Sequence, residues 1–535
     1  MSTASTEFDA IIVGAGFAGL YQLHLLRDRL GLRARVLEAA EGVGGTWYWN
    51  RYPGARCDSE SFYYSYSFSH ELEQEWEWTE RYPEQPEILR YLNHVADRFA
   101  LRPDIQLGTR VVGAQFDAER QRWRVTTQDG EAFSAQFLIT AVGCLSTANL
   151  PALPGIDSFT GQVLHTGLWP HEGVDFSGKR VGLIGTGSTG IQAAPVIAQT
   201  AKQLVVFQRT PNYSVPARNG PLDAQTQRET KENYAEIRRK SRSSTNGHPF
   251  SVAPEGALEV SEAERAARYE AAWQRGGLWF RASFKDIMTC PRANETAAEF
   301  IRAKIREVVK DPEVAERLTP RDHPFAAKRP PIDTDYFETF NRDNVLLVDL
   351  RKAQIDAIVP QGVRTGEAVY PLDVIVFATG FDALTGPLLA LNIEGEGGVS
   401  LRKRWAAGPR TYLGLQMPGF PNLFTITGPG SPSVLTNMPI AIEQHAEWIA
   451  DCIAHLRAQG LRRIEATEPA SEAWAAEVNR AAEATLLPMA SSSWYLGANI
   501  PGKPRVFMPY AGGMAHYARL CQEVAAEGYR GFELS

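Results

Sequence analysis

Two glycine-rich turns, GAGFAG beginning at Gly14 and GTGSTG beginning at Gly185, set the strongest constraint on what this chain can fold into. Each follows a short apolar run and precedes a stretch with helical apolar spacing. The flanking segments are residues 8–13 and 20–30 for the first turn, and 181–184 and 191–200 for the second. Another apolar run follows each predicted helix, at 35–37 and 204–207. Strand, turn, helix and strand make a βαβ unit, whose parallel strands need both faces of the sheet covered. The glycines permit a tight turn and close approach of backbone to a pyrophosphate, and the helix N-terminus adds free N–H groups and partial positive charge. A single turn of this kind is weak evidence. Two in the same context predict an α/β chain with two dinucleotide-binding, Rossmann-like domains, the second carrying a helical insertion.

The residue that ends the second strand of each unit selects the nucleotide. The same offset leads from Gly14 to Glu38 and from Gly185 to Arg209. A carboxylate accepts hydrogen bonds from a ribose diol and repels a 2′-phosphate, whereas an arginine grips that phosphate with a charge-assisted fork. FAD or NAD is therefore expected at Gly14, Gly16, Gly19 and Glu38. NADP(H) is expected at Thr186, Gly187, Ser188, Thr189 and Arg209. The simplest use of two such sites is a flavin reduced from a neighbouring NADPH. The competing reading of Arg209 is an ordinary surface arginine.

Two further apolar strands, 137–141 and 374–377, also run into glycine, at Gly143 and Gly380. The second lies far downstream of its unit, so an insertion is expected. The predicted organisation is a first flavin-domain segment at 1–145, an NADP-domain segment at 146–219, a helical insertion at 220–330, a second NADP segment at 331–380 and a second flavin segment at 381–535. Within the insertion, Ser261 with Glu264 forms a capping box, and Asp311 with Pro312 marks a helix start. The basic cluster Arg238, Arg239, Lys240 and Arg242 reads as a solvated helix face. Residues 440–456 read as an amphipathic helix. Residues 487–504, dense in Ser, Gly, Asn and Pro, read as a mobile loop.

A formal net charge of −7 argues against nucleic acid as a partner. The five cysteines are scattered, which fits a reducing compartment. It also excludes a disulfide reductase, which needs a closely spaced redox pair. No apolar run approaches the roughly eighteen residues that span a bilayer, and the N-terminus enters its first strand without a signal-like region. The expectation is a cytoplasmic protein without a metal site, a monomer or weak homo-oligomer, acting on a small molecule.

Two longer motifs narrow the reading. Between the nucleotide units stands FTGQVLHTGLWP, containing Phe159, Gly161, His165 and Trp169, and upstream stands GGTWYWNRYPGARCD, from Gly44 to Asp58. The first follows the pattern FxGxxxHxxxW. Along nearly its whole length the chain closely resembles type I Baeyer–Villiger monooxygenases, particularly the phenylacetone monooxygenase branch. The resemblance implies oxidation of ketones to esters or lactones with FAD, NADPH and O2. It implies that Arg329, in the pair Lys328-Arg329, stabilises a flavin C4a-peroxide and that Asp58 orients it, since a guanidinium stays protonated and offers fixed donors. It places Thr46 and Trp47 near the flavin, Lys328 and Thr210 with Arg209 around the 2′-phosphate, and Trp494 over the nicotinamide end of NADP. It implies a substrate pocket at Ser433, Val434, Leu435 and Met438. His165 and Trp169 are read as a link to domain motion and not as acid or base. Pro330-Pro331 departs from the family pattern beside the arginine. The alternatives are an N- or S-oxygenating flavin monooxygenase and a non-catalytic NADP-binding flavoprotein.

Overall fold

The computed structural model describes residues 6–366 and 368–535. The first glycine turn sits in an eight-stranded mixed sheet. Along it run Ile393–Glu394, Val111–Asp117, Arg122–Thr127, Ala132–Thr140, Glu7–Val13, Ala34–Leu37 and Ile105–Gln106. The long strand Ala132–Thr140 pairs with Glu7–Val13 on one edge and with two strands on the other. Its first half pairs antiparallel with Arg122–Thr127, and its last residues pair parallel with Leu423–Thr425. The second turn sits in a five-stranded sheet ordered Val345–Asp349, Gln203–Gln208, Arg180–Ile184, Val374–Phe377, Gln162–His165. All its pairings are parallel. Val181, Leu183, Leu204, Val206 and Val376 are fully enclosed, as strands covered on both faces require.

The helical segment between the strand Gln203–Gln208 and the strand Val345–Asp349 contains Ala224–Arg242, Glu262–Arg275, Pro291–Val308 and Pro312–Leu318. Ser261 Oγ accepts from the Glu264 N–H, and Asp311 Oδ1 accepts from the N–H groups of Glu313 and Val314, so both N-caps form, while the Glu264 carboxylate takes Arg268 and does not close a capping box. All five cysteines are free thiols. Among the described residues no helix is long and apolar enough to cross a membrane.

Two expectations are corrected. The helix Met438–Ala458 is not amphipathic: it is buried on nearly every face, with Ile442, Glu443, His445, Trp448 and Cys452 all enclosed. It runs through the core beside Phe17–His24, and two of its buried polar side chains find partners elsewhere in the chain. Glu443 accepts from the Ser67 N–H and hydroxyl, and His445 Nδ1 accepts from the Thr427 N–H. The basic cluster is not wholly a solvated face. Arg238 is only 7% exposed. Its guanidinium bonds Glu73 Oε1 at 2.7 Å, Ser65 Oγ at 2.8 Å and the Tyr66 carbonyl at 2.9 Å. The helix Ala224–Arg242 is thereby bolted to the segment that follows Asp58.

Removing one partner of a buried ion pair leaves the other charge stranded. Arg238→Met is expected to lower unfolding free energy by about 3–5 kcal/mol, measured by urea denaturation. A loss comparable to that of the exposed Arg239→Met would show that the bolt carries no stability.

Candidate functional site

Both glycine turns are built by close packing. A Cβ on Gly14 would lie 2.6 Å from the Ala141 carbonyl oxygen, and one on Gly19 or Gly190 would overlap the carbonyl of the first glycine of its own turn. A Cβ on Gly187 would meet nothing within 4 Å. Gly16 and Gly187 are the N-caps of Phe17–His24 and Ser188–Thr200, and neither helix start receives a side-chain hydrogen bond. Two uncapped helix N-termini thus carry free N–H groups beside glycine, the chemistry a pyrophosphate requires. Gly44 and Gly45 explain the start of the upstream motif. The Gly44 N–H donates to the Ala15 carbonyl, and a Cβ on Gly45 would approach Gly16 Cα to 2.9 Å. Thr46 begins a short helix with its side chain exposed, while Trp47 is buried and donates Nε1–H to the Tyr64 hydroxyl.

Glu38 lies beside the first turn. Its carboxylate accepts from the Ala15 N–H at 2.6 Å and the Ala40 N–H at 2.8 Å. Burial raises its pKa, against the pull of those N–H groups and Arg110. At the second turn Thr186 donates its hydroxyl proton to the Thr210 carbonyl. Arg209 is exposed and Lys328 half-buried, and neither makes an ion pair among the described residues. Burial pushes the Lys328 ammonium down, Asp322 opposes that, and Arg209 reinforces it. Two cations without an ion-pair partner therefore lie near one another at the end of the second unit.

Arg329 stands just before the short strand Ile332–Asp333, within reach of Asp58 and Val434. Its Nε donates to Asp58 Oδ2 at 2.5 Å, Nη2 to Asp58 Oδ1 at 2.7 Å, and Nη1 to the Val434 carbonyl at 2.7 Å. Burial works against both charges, but each partner more than offsets it, so Asp58 is held below the usual carboxylate range and Arg329 above its own. The guanidinium spends three of its five N–H groups on these bonds and stays 25% exposed. The segment before Asp58 is docked on the second unit: the Tyr52 hydroxyl donates to Gln192 Oε1 and lies beside Thr189, and Gln192 Nε2 donates to the Arg56 carbonyl. Pro330 and Pro331 lead out of the site, where the Pro331 carbonyl accepts from the Val215 N–H.

The family comparison decides what this arrangement is. Residues 9–219, which hold both glycine turns, match the flavin-binding monooxygenase-like family. A Baeyer–Villiger monooxygenase of Pseudooceanicola batsensis is 46% identical over 98% of this chain and 96% of its own length. The chain belongs to the Baeyer–Villiger monooxygenases. Among solved structures, a steroid monooxygenase bound to NADP matches this monooxygenase with 57% identity and a TM-score of 0.94, covering 99% of each chain. A phenazine N-monooxygenase of Lysobacter antibioticus is also similar, at 44% identity over 99% of this chain and 97% of its own.

Not every singled-out residue of the monooxygenase gathers at Arg329. His165 is buried at the end of Gln162–His165, where its Nδ1 accepts from the Gly167 N–H and burial pushes its pKa down. Trp169 packs on Phe176 in the core that also holds Tyr52. Gly161 has no room for a side chain, because a Cβ would strike the Phe159 ring and the Asp373 carbonyl. The downstream motif is thus a packing seam, which explains its fixed spacing. Ser433 is fully enclosed with its hydroxyl 3.0 Å from Cys144 Sγ, and Val434 is buried beside it, while Leu435 and Met438 are half-buried. Trp494 is half-buried against Tyr495, in a stretch containing two short 3-10 turns. Lys503 ties the end of that stretch to Asp382.

The sequence reading missed His248, Arg281 and Tyr495. All three act electrostatically with Arg329. Only their place in the fold reveals them, since no motif surrounds His248 or Arg281.

Burial and the neighbouring guanidiniums of Arg329 and Arg281 push His248 down to about 3, against the pull of Asp58. The unfolded chain then binds a proton that the folded chain refuses, between the ordinary histidine value near 6.5 and 3. The stability this group contributes is present above about pH 6.5 and falls as pH drops, by up to about 1.4 kcal/mol per pH unit. His248→Gln is expected to flatten the acid limb of a plot of urea midpoint against pH. An identical limb in the variant would show that His248 takes up its proton in the folded state.

Proposed function

We propose that the enzyme inserts one oxygen atom of O2 beside the carbonyl of a ketone, giving an ester or lactone, with FAD along the first turn and NADP(H) along the second. The observation behind this reading is the Asp58–Arg329 fork, at the end of a segment that touches the first uncapped helix N-terminus through Gly45 and the second helix through Tyr52. When bound, FAD reduced by NADPH supplies the electrons and activates O2, so that ketone, NADPH, a proton and O2 become ester, NADP+ and water. The donor set fits both groups. Gly14, Gly16, Gly19, Glu38, Thr46 and Trp47 would line the FAD site. Thr186, Gly187, Ser188, Thr189, Arg209, Thr210 and Lys328 would line the NADP(H) site, with Trp494 near its nicotinamide end.

The chain's own task is to hold fixed positive charge where oxygen becomes negative. Arg329 is suited because Asp58 and Val434 lock its plane and leave two N–H donors free. Asp58 also keeps it protonated. A charge set in place before the reaction needs no reorganisation during it. Phe159, Gly161, His165 and Trp169 position the second unit against the first, and Val434, Leu435 and Met438 shape the ketone pocket.

Arg329→Ala is expected to retain FAD and still oxidise NADPH, with hydrogen peroxide in place of ester. Loss of one such donor lowers the oxygenation rate by about 10²–10³. Arg329→Lys restores part of it, because the charge returns without the planar fork. Ester yield measured against NADPH consumed decides the matter, and near-wild-type ester from Arg329→Ala removes Arg329 from the reaction. An N-oxide formed from an aromatic amine, with no ester from any ketone, would ally the enzyme with its phenazine-oxidising relative instead.

Arg209→Ala is expected to weaken NADPH by roughly ten- to a hundredfold, the cost of a charge-assisted phosphate contact of about 1.5–3 kcal/mol, and to leave NADH nearly alone. Michaelis constants for the two cofactors give the comparison. Equal weakening of both makes Arg209 a support of the fold.

A further inference from the structure

A second guanidinium reaches the Arg329 centre, and the chemistry above does not use it. Arg281 lies in the 3-10 helix Gly277–Ser283, fixed on both sides. The Phe280 and Ala282 side chains are buried, and the Ala282 carbonyl accepts from the Ala253 N–H at 3.0 Å. The Trp279 ring lies 4.3 Å from Phe250, and its Nε1–H donates to Glu60. Phe250 in turn stacks on His248 at 5.1 Å, and His248 meets Tyr63 edge-on at 5.3 Å. Asn246 then donates to the Leu435 carbonyl, one residue from the carbonyl that receives Arg329. This relay of contacts makes 246–250, 277–283 and 434–435 neighbours around the Arg329 centre.

The charges gathered there do not balance. Arg329 is neutralised by Asp58. Arg281 makes no hydrogen bond or ion pair with any described residue. The groups acting on it are Tyr495 and the like-charged Arg329, and no carboxylate is among them. Burial and Arg329 both push its pKa down. His248 Nδ1 and Ser283 Oγ, both buried, also lack partners. A half-buried guanidinium is costly to leave unpaired, and no carboxylate of the protein answers it.

We infer that Arg281 receives a carboxylate carried by the substrate, so that the ketones this enzyme prefers are keto acids. This rests on the oxygenation reading above. The balance calls for one negative charge, because one guanidinium remains after Asp58 has taken Arg329. A carboxylate fits the planar fork of an arginine with two parallel bonds. With one end of the substrate held at Arg281, its carbonyl is directed toward Arg329. The carboxylate takes no part in the bond changes: one oxygen enters beside the carbonyl carbon, and the other leaves as water.

The test uses the FAD-loaded enzyme with 5-oxohexanoate and its methyl ester, which differ in charge and little in shape. The wild type is expected to favour the acid over the methyl ester by about tenfold or more in kcat/KM, the worth of a charge-assisted contact. Arg281→Met, which keeps much of the side-chain length, brings that ratio to about one, and Arg281→Lys restores part of it. Hexanoate, which has no carbonyl to oxidise, competes with the methyl ester in the wild type and at least about tenfold more weakly in Arg281→Met. Ester formation with no preference for the acid, or with equal losses on both substrates in Arg281→Met, overturns the role of Arg281 and leaves the oxygenation reading standing. If the wild type forms no ester from either ketone, or from a neutral ketone such as cyclohexanone, both readings fall.

Discussion

The fork between Arg329 and Asp58 is the contact on which the organisation of the centre depends. Two opposite charges leave water at considerable cost, and they stay charged only because each finds the other in good geometry. The partners are 271 residues apart in sequence. Asp58 follows a segment tied to both glycine turns, while Arg329 leaves the helical segment and enters the short strand Ile332–Asp333. Val434, reached from the end of the first sheet, supplies the third acceptor. Any shift of the helical segment against the first sheet would pull this fork apart, and Arg238, fixed to Glu73, Ser65 and Tyr66, opposes such a shift.

The first sheet is interrupted in sequence by the whole of the second, and the second by the helical segment. The first sheet is completed by strands from beyond residue 390, and the second by Val345–Asp349 and Val374–Phe377 after the helices. The crossings place Gly44 and Gly45 on the first turn and Tyr52 on the helix after the second. One short motif therefore touches both units and ends on Asp58. The FxGxxxHxxxW motif does comparable work at the outer strand of the second sheet. There Gly161 exists so that Phe159 and Asp373 can close over it, and His165 sits dry and uncharged.

Some errors of the sequence reading share a cause. The helix Met438–Ala458 looks amphipathic because it carries Glu443, Gln444, His445 and Glu447, yet Glu443 and His445 are among its most buried residues. Their partners, Ser67 and Thr427, come from other parts of the chain, and buried polar groups with such partners look the same in sequence as exposed ones. Arg238 was hidden in the same way inside a run of exposed basic residues.

What the sequence determined alone is what local geometry and spacing encode. The glycine turns, the strands and helices around them, the capping residues Ser261 and Asp311, and the contrast of Glu38 with Arg209 all act over a few residues or one βαβ unit. Turn strain, orphan helix N–H groups and the sign of one side chain are local properties. The long motifs extended this reach to Asp58 and Arg329 by resemblance. Only the tertiary structure decided which charges meet and which do not. It joined Asp58 to Arg329, buried Arg238 and Glu443, enclosed Ser433 against Cys144, and left Arg281 without a counter-charge. The physical reason is that the cost of a charge depends on its burial and its partner, and both are set by segments hundreds of residues away in the chain.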